Sequence, residues 1–181
     1  LQVVNKLEWR RWAKSQPPPT TDEAALVVEG IRAWLARLDK GGVLIYLPIP
    51  GEIDLTPLLD IHKLSFFTTR TPVEGPCTIH RLPAPLERHP FGFMQPEASA
   101  PTVSPLLIDV ALVPGLVFAR HGTRIGHGAG YYDMLLPELD SRAHRVGVTL
   151  ARMVVETLPK TDRDIDMDFL ATESGCRRVE S

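Results

Sequence analysis

The chain has 181 residues, 44% of them hydrophobic and 23% charged, with a formal net charge of −2. That length and apolar content fit one soluble domain with a real core and exclude a disordered polymer. Scattered Lys and Arg leave no nucleic-acid footprint, no apolar run nears the ~20 residues that cross a bilayer, and two cysteines without a CxxC argue for a reducing, cytoplasmic setting rather than a disulfide framework.

The opening LQVVNKLEWR carries charges, has no signal-peptide apolar stretch, and begins on Leu1 rather than Met, which reads as a processed or trimmed start. Residues 3–14 read as a short basic helix offering Leu7, Trp9 and Trp12 as apolar surface, stopped by Pro17, Pro18 and Pro19. Thr20 followed by Glu23 predicts a capping box. Behind it, Ala24, Val28, Ile31, Leu35 and Leu38 repeat at helical spacing, and Gly41-Gly42 are expected to end the helix.

Val43–Leu47 predicts a buried strand, Pro50-Gly51 a turn, Asp54–Leu59 a further helix start, and Leu64–Thr68 a second strand. The stretch from Thr71 to Pro105, rich in Pro and without a period, reads as irregular substrate-facing chain that includes Phe91-Gly92-Phe93-Met94. Leu106–Val113 and Arg145–Leu150 predict two more strands. Apolar strands separated by helices imply one α/β domain over residues 1–181 with a largely parallel sheet.

Between the last two strands lies Arg124-Ile125-Gly126-His127-Gly128-Ala129-Gly130-Tyr131-Tyr132-Asp133, with glycines at three alternate positions. Such a run can turn backbone N–H groups toward an anion, and YYDMLL can start a helix beside it. Arg124 offers charge-assisted bonds to phosphate, and Asp133 the hard oxygen that Mg²⁺ prefers. The spacing is neither GxxxxGK[ST] nor GxGxxG, and a plain tight turn stays open on the glycines alone. The six histidines form no zinc-like spacing.

PGLVFARHGTRIGHGAGYYD resembles the signature of the 5-formyltetrahydrofolate cyclo-ligase family, roughly PGxxFxxxGxRxGxGxGYYD. Weaker matches follow in order along the chain. Lys6-Leu7-Glu8-Trp9-Arg10 is similar to the family's KxxLR, and Tyr46-Leu47-Pro48 with Glu52-Ile53-Asp54 to its YxP…E[IV]D segment. Phe91-Gly92-Phe93-Met94-Gln95-Pro96 resembles GIxEP, and Leu158-Pro159, Asp164, Asp168 and Thr172-Glu173 resemble LPxxxHDxxxDxxxTE.

The resemblance implies a three-layer α/β/α sandwich that uses ATP and Mg²⁺ to convert 5-formyltetrahydrofolate to 5,10-methenyltetrahydrofolate, releasing ADP and phosphate. It implies Lys6 and Arg124 as the catalytic cations. It places Lys6, Arg10, Arg124, Ile125, Gly126, His127, Gly128, Ala129, Gly130, Tyr131 and Tyr132 around ATP. Leu47 and Glu52, with His127 to Tyr131, would face the folate, and Asp133 and Asp164 would hold the metal. The implied partner is a small-molecule folate, with no nucleic acid or membrane, for a monomer or weak homo-oligomer.

Local evidence keeps blander readings open: surface charges for Lys6 and Arg10, a turn carboxylate for Glu52, a solvated acidic loop for Asp162 to Asp168. Departures from the pattern are Ala119-Arg120-His121 where an acid is frequent, Gln95 for Glu, and Thr161 and Arg163 for the tail's Glu and His; Arg163 could pair with Asp164. Two other functions stay open: a non-catalytic nucleotide- or folate-binding protein of this fold, and a ligand-free interaction domain.

Overall fold

The computed structural model describes residues 5–72, 75–90 and 92–180. The first two residues assigned to the opening helix, and Phe91, therefore lie outside the described residues.

Helix α1 (Lys6–Ser15) begins where the Asn5 side chain accepts from Leu7 N and Glu8 N, and it ends just before the proline run. Its Trp9 and Trp12 rings meet edge to face at 5.3 Å and, with Ala13, cover Val117, Ala119, Ile125 and Leu158. Helix α2 (Thr21–Leu35) carries the predicted capping box, Thr20 to Glu23 and back. It buries Val27, Val28, Ile31 and Leu35.

The helix stops at Leu35, short of Gly41-Gly42, which instead open strand β1 (Gly41–Ile45). The reason is a close approach: a Cβ on Gly42 would lie 1.9 Å from the Leu107 carbonyl oxygen. Strand β2 (Leu64–Arg70) pairs parallel with β1. The segment read as Asp54–Leu59 forms only a 3-10 turn, Thr56–Asp60, after Asp54 accepts from Thr56 N.

The stretch expected to be irregular contains four short strands: β3 (Thr78–Arg81), β4 (Leu86–Arg88), β5 (Met94–Pro96) and β6 (Thr102–Val103). All four pair antiparallel. Runs of two to four residues are too short to show a period, so pairing rather than pattern defines them. Likewise, Pro105–Leu107 is a 3-10 turn, and the next strand, β7 (Val110–Pro114), starts four residues later than expected.

Then follow β8 (Val117–Ala119), β9 (Arg124–Ile125), α3 (Tyr131–Leu135), β10 (His144–Val148), β11 (Val154–Val155), β12 (Phe169–Thr172) and β13 (Gly175–Arg178). The main sheet has the order β13-β12-β10-β7-β1-β2-β3-β6. Its five central strands run parallel; β13 closes one edge, and β3 followed by β6 extends the other, each joined through antiparallel pairing.

Side-chain alternation separates the two faces. Val43, Ile45, Val110 and Leu112 join the cluster under α2. Leu44, Ala111 and Val113 face Leu135, Leu136 and Leu139 of α3 and the turn after it. The predicted α/β sandwich is present, with one thin helical layer. A small sheet, β11-β8-β9, packs beneath α1 and brings the glycine block to that helix. No helix among the described residues is long and apolar enough to cross a membrane.

Candidate active site

Parallel strands put their carboxyl ends at one edge, where loops leave room for a ligand. There, a cavity of about 410 Å³ opens between α1, the glycine block and the loops after β1 and β2. Every residue expected at the site lines it: Lys6 and Arg10, Leu47 and Glu52, the run from Arg124 through Tyr132, and both Asp133 and Asp164.

The glycine block folds as its composition requires. Gly128 and Gly130 have φ of +112° and +73°, values that side chains rarely adopt. Gly126 answers a different need, since a Cβ there would sit 2.7 Å from Arg124 Nη1. Arg10 Nε donates to Gly126 O at 2.9 Å, tying the loop to α1. A one-turn spacing places Lys6 and Arg10 on the same helix face.

Lys6 Nζ donates to both oxygens of Asp164, at 2.6 and 2.5 Å. Asp164 also accepts from the Thr161 backbone N–H and hydroxyl. Burial pushes its pKa up, but the bonds from Lys6 and Thr161 outweigh it and hold the carboxyl below its ordinary value. Arg163, which could have paired with Asp164, is exposed instead. It sits in the turn that Asp164 N closes onto Thr161 O at 3.0 Å, and the cation on Asp164 comes from α1.

Arg124 is buried. Its Nη2 donates to Asp133 Oδ1 at 2.7 Å and its Nη1 to Pro114 O at 3.2 Å, and its Cζ stands 5.7 Å from the Tyr132 ring centroid. Among the described residues its Nε has no hydrogen-bond partner. Burial, then the charge on Glu52, raises the Tyr132 pKa; Tyr46, also buried beside Glu52, is raised likewise. Both phenols stay neutral at physiological pH.

Glu52 Oε2 accepts from Ile49 N at 3.0 Å inside the Pro50-Gly51 turn, and Oε1 lies 3.2 Å from His127 Nε2. Phe93 and Met94 reach the cavity, with Phe93 stacked on His89 at 4.3 Å. Gln95 does not reach it. Buried at 3% exposure, its amide oxygen accepts from Thr71 N and its nitrogen donates to Glu87 Oε1. The exchange of Glu for Gln is thus absorbed in the hold of the β4-β5 hairpin on β2.

Sequence reasoning missed Thr69 and Pro114, and singled out neither Thr71 nor Cys77 within the stretch it read as substrate-facing; all four line the cavity. They sit at strand ends and turns with no local mark of a ligand. It also missed a second cavity of about 520 Å³, bounded by Lys14, Gln16, Leu116, Thr149 and Met153. This cavity shares Tyr46, Ile49, Pro50, Glu52, Pro114 and His127 with the first.

The residues fit a polyphosphate with a hard cation. Lys6 and Arg10 are cations on one wall, and the bare Cα positions of the glycine loop permit close approach. Among the described residues, no three His, Cys, Asp or Glu side chains converge. Asp133 and Asp164 offer carboxylate oxygens only, as suits Mg²⁺, which takes one or two carboxylates and completes its shell with phosphates and water.

A model of the 5-formyltetrahydrofolate cyclo-ligase family matches residues 35–173. The 5-formyltetrahydrofolate cyclo-ligase of Mycolicibacterium smegmatis is 28% identical over 158 residues, 80% of this chain and 80% of that protein. The Haemophilus influenzae cyclo-ligase is 27% identical over 134 residues, 69% of this chain and 72% of that one. The NMR structure of Aquifex aeolicus 5,10-methenyltetrahydrofolate synthetase has a TM-score of 0.77 and 34% identity, and the match covers 97% of this chain and 93% of the other. This chain belongs to the 5-formyltetrahydrofolate cyclo-ligase family.

Proposed function

We propose that this protein is an ATP-dependent ligase that cyclises 5-formyltetrahydrofolate to 5,10-methenyltetrahydrofolate. The observation that carries the reading is the pair of cation–carboxylate contacts, Lys6–Asp164 and Arg124–Asp133, facing one cavity beside a glycine loop. Family membership and the folate-named relatives support the substrate.

A formamide carbonyl is a poor electrophile because its nitrogen donates into it. In the proposed reaction the formyl oxygen takes the γ-phosphoryl group as the β–γ bond breaks and ADP leaves, and N10 of the same folate then attacks the formyl carbon, gives up its proton and displaces phosphate. The protein need supply no nucleophile. Its work is alignment and charge neutralisation on the moving phosphoryl group.

Lys6 and Arg10 hold phosphate oxygens from α1. Arg124 acts from within, fixing Asp133, the Pro114 carbonyl and the Tyr132 ring, so the loop from Gly126 to Tyr131 keeps its shape. Asp133 and Asp164 would hold Mg²⁺, whose charge offsets that of the phosphates. Leu47, Phe93 and Met94 flank the folate rings, and Glu52 accepts hydrogen bonds from their polar edge. The second cavity continues along α1 past Arg10 to Lys14 and Gln16, where it offers room for the nucleoside end of ATP.

The test is the absorbance of methenyl-folate formed from 5-formyltetrahydrofolate, ATP and Mg²⁺. Product that depends on all three is expected. Absence of product from folded protein that still binds ATP would defeat the enzyme reading and leave a binding protein of the same fold.

A further inference from the structure

Helices α1 and α2 rest on different parts of the core and are joined by Gln16, Pro17, Pro18 and Pro19. Helix α1 lies on the cluster around Val117 and Ile125, α2 on the cluster around Val43 and Leu112. The hold on α1 is thin: among the described residues, Ala13 is the one it buries. Two of its polar ties, Lys6 to Asp164 and Arg10 to Gly126 O, use the cations that the proposed function gives to phosphates. Phosphate oxygens would compete for both, so α1 then depends on what holds its other end.

Arg152 supplies that hold. It lies in the 3-10 turn Ala151–Met153 between β10 and β11. Its Nη2 donates to Pro17 O at 3.0 Å and to Pro18 O at 3.3 Å, and its Nη1 to Glu23 Oε1. The other oxygen of Glu23 accepts from Thr20 N in the capping box of α2. Thr20 first, and Arg152 next, hold the Glu23 carboxyl below its ordinary pKa, so it is ionised at neutral pH. The turn is itself braced, by Ala151 N on Glu173 Oε2 at 2.8 Å and by Met153, which packs against both clusters.

The linker transmits this hold because it is stiff. Each proline fixes φ near about −65°, and the residue before a proline is confined to extended backbone. Gln16 and Thr20, at the two ends, are both extended. A strut held at Pro17 and Pro18 sets the direction in which α1 leaves it, as a flexible linker held at the same points would not. The same prolines line the second cavity, with Met153 beside them.

We propose that Arg152 is a positioning residue for ATP. It fixes the proline strut, through which α1 presents Lys6 and Arg10 to the phosphates, and it keeps Pro17 and Pro18 as a wall of the second cavity. This rests on the reading that α1 and that cavity receive ATP.

The test uses the full chain, with ATP and folate concentrations varied separately in the methenyl-folate assay and amide hydrogen exchange followed without ligands. Arg152→Gln removes the charge and the fork. Arg152→Lys keeps the charge near Glu23 but lacks the planar fork that spans two carbonyls and a carboxylate. In Arg152→Gln the ATP KM should rise roughly tenfold, with the folate KM at saturating ATP within about twofold. Amides of residues 9–16 should exchange at least about fivefold faster, while those of β1 and β7 keep their rates. Arg152→Lys should lie between wild type and Arg152→Gln on both readouts.

An unchanged ATP KM, a folate KM that rises as far as the ATP KM, or faster exchange spread equally over α1, β1 and β7 would each overturn the proposal, the last by showing a general loss of stability. If Arg152→Gln does not fold, Arg152→Lys is judged by the same three outcomes. A wild-type protein without ATP-dependent turnover would overturn the ATP reading itself, while the exchange of α1 still decides whether Arg152 holds that helix.

Discussion

Lys6 and Asp164 are 158 positions apart in the chain, yet the ammonium meets both carboxylate oxygens within 2.6 Å. The contact joins the first helix to the C-terminal tail across the mouth of the cavity. It also sets the pH behaviour of that tail. The Asp164 pKa lies below its ordinary 3.8 in the folded protein. The stability contributed by its charge is therefore complete above that ordinary value and is lost as pH falls through the lower folded one. Lys6→Met should lower stability at neutral pH by about 1–3 kcal/mol. It should also flatten the fall of Tm below about pH 4. Thermal melts from pH 2 to 7 check this, and parallel curves for the two proteins would contradict it.

Arg124 presents a separate case, because its guanidinium is buried with two bonded nitrogens and a ring against it. Arg124→Ala leaves Asp133 unpaired and a cavity beside Gly126, so it should cost about 3–5 kcal/mol. At about 2–4 °C per kcal/mol for a chain of this size, the Tm should fall by roughly 6–20 °C. Arg124→Lys keeps the charge but not the fork, and should recover only part of the loss. A variant with wild-type melting and a raised ATP KM would instead place Arg124 directly on phosphate.

Asp133→Asn keeps the shape and an acceptor for Arg124 but removes the charge. Leaving the buried Arg124 charge without its counter-ion should lower stability by about 1–3 kcal/mol, while the Mg²⁺ concentration for half-maximal turnover should rise at least about tenfold. Titration of Mg²⁺ at saturating ATP and folate is the measurement. Identical metal curves would remove Asp133 from the metal site.

Gln95→Glu would install the residue frequent in the family pattern, but here it would sit buried and 3.3 Å from Glu87 Oε1. Burial and the neighbouring carboxylate should both raise its folded pKa above that of the unfolded chain. The penalty is then absent at low pH and grows as pH rises above about 4, the unfolded glutamate value. Melting midpoints relative to wild type should diverge with rising pH, and a constant offset would show that the hairpin absorbs the charge through Arg70.

Much of this molecule is legible locally. The capping box of α2 needs only Thr20 and Glu23, three residues apart, and four of the five parallel strands announce themselves as apolar runs between turn residues, whereas β12 was not anticipated. The glycine block is legible because Gly128 and Gly130 require backbone angles that few other residues adopt. By contrast, β3 to β6 were hidden: two to four residues carry no period, and their pairing partners are chosen by the sheet.

The sequence by itself determined the class of fold and the position of the glycine loop, because helix caps, strand burial and glycine conformations are short-range properties, and its family resemblance pointed to many of the residues that line the cavity. Only the tertiary structure decided how those residues are spent. It paired Asp164 with Lys6 rather than with Arg163 beside it, turned Arg124 inward onto Asp133, withdrew Gln95 from the cavity, and set His127 against Glu52. Charges and donors act over a few ångströms in space, and which ones lie that close is settled by packing α1, the glycine loop and the tail around one sheet edge.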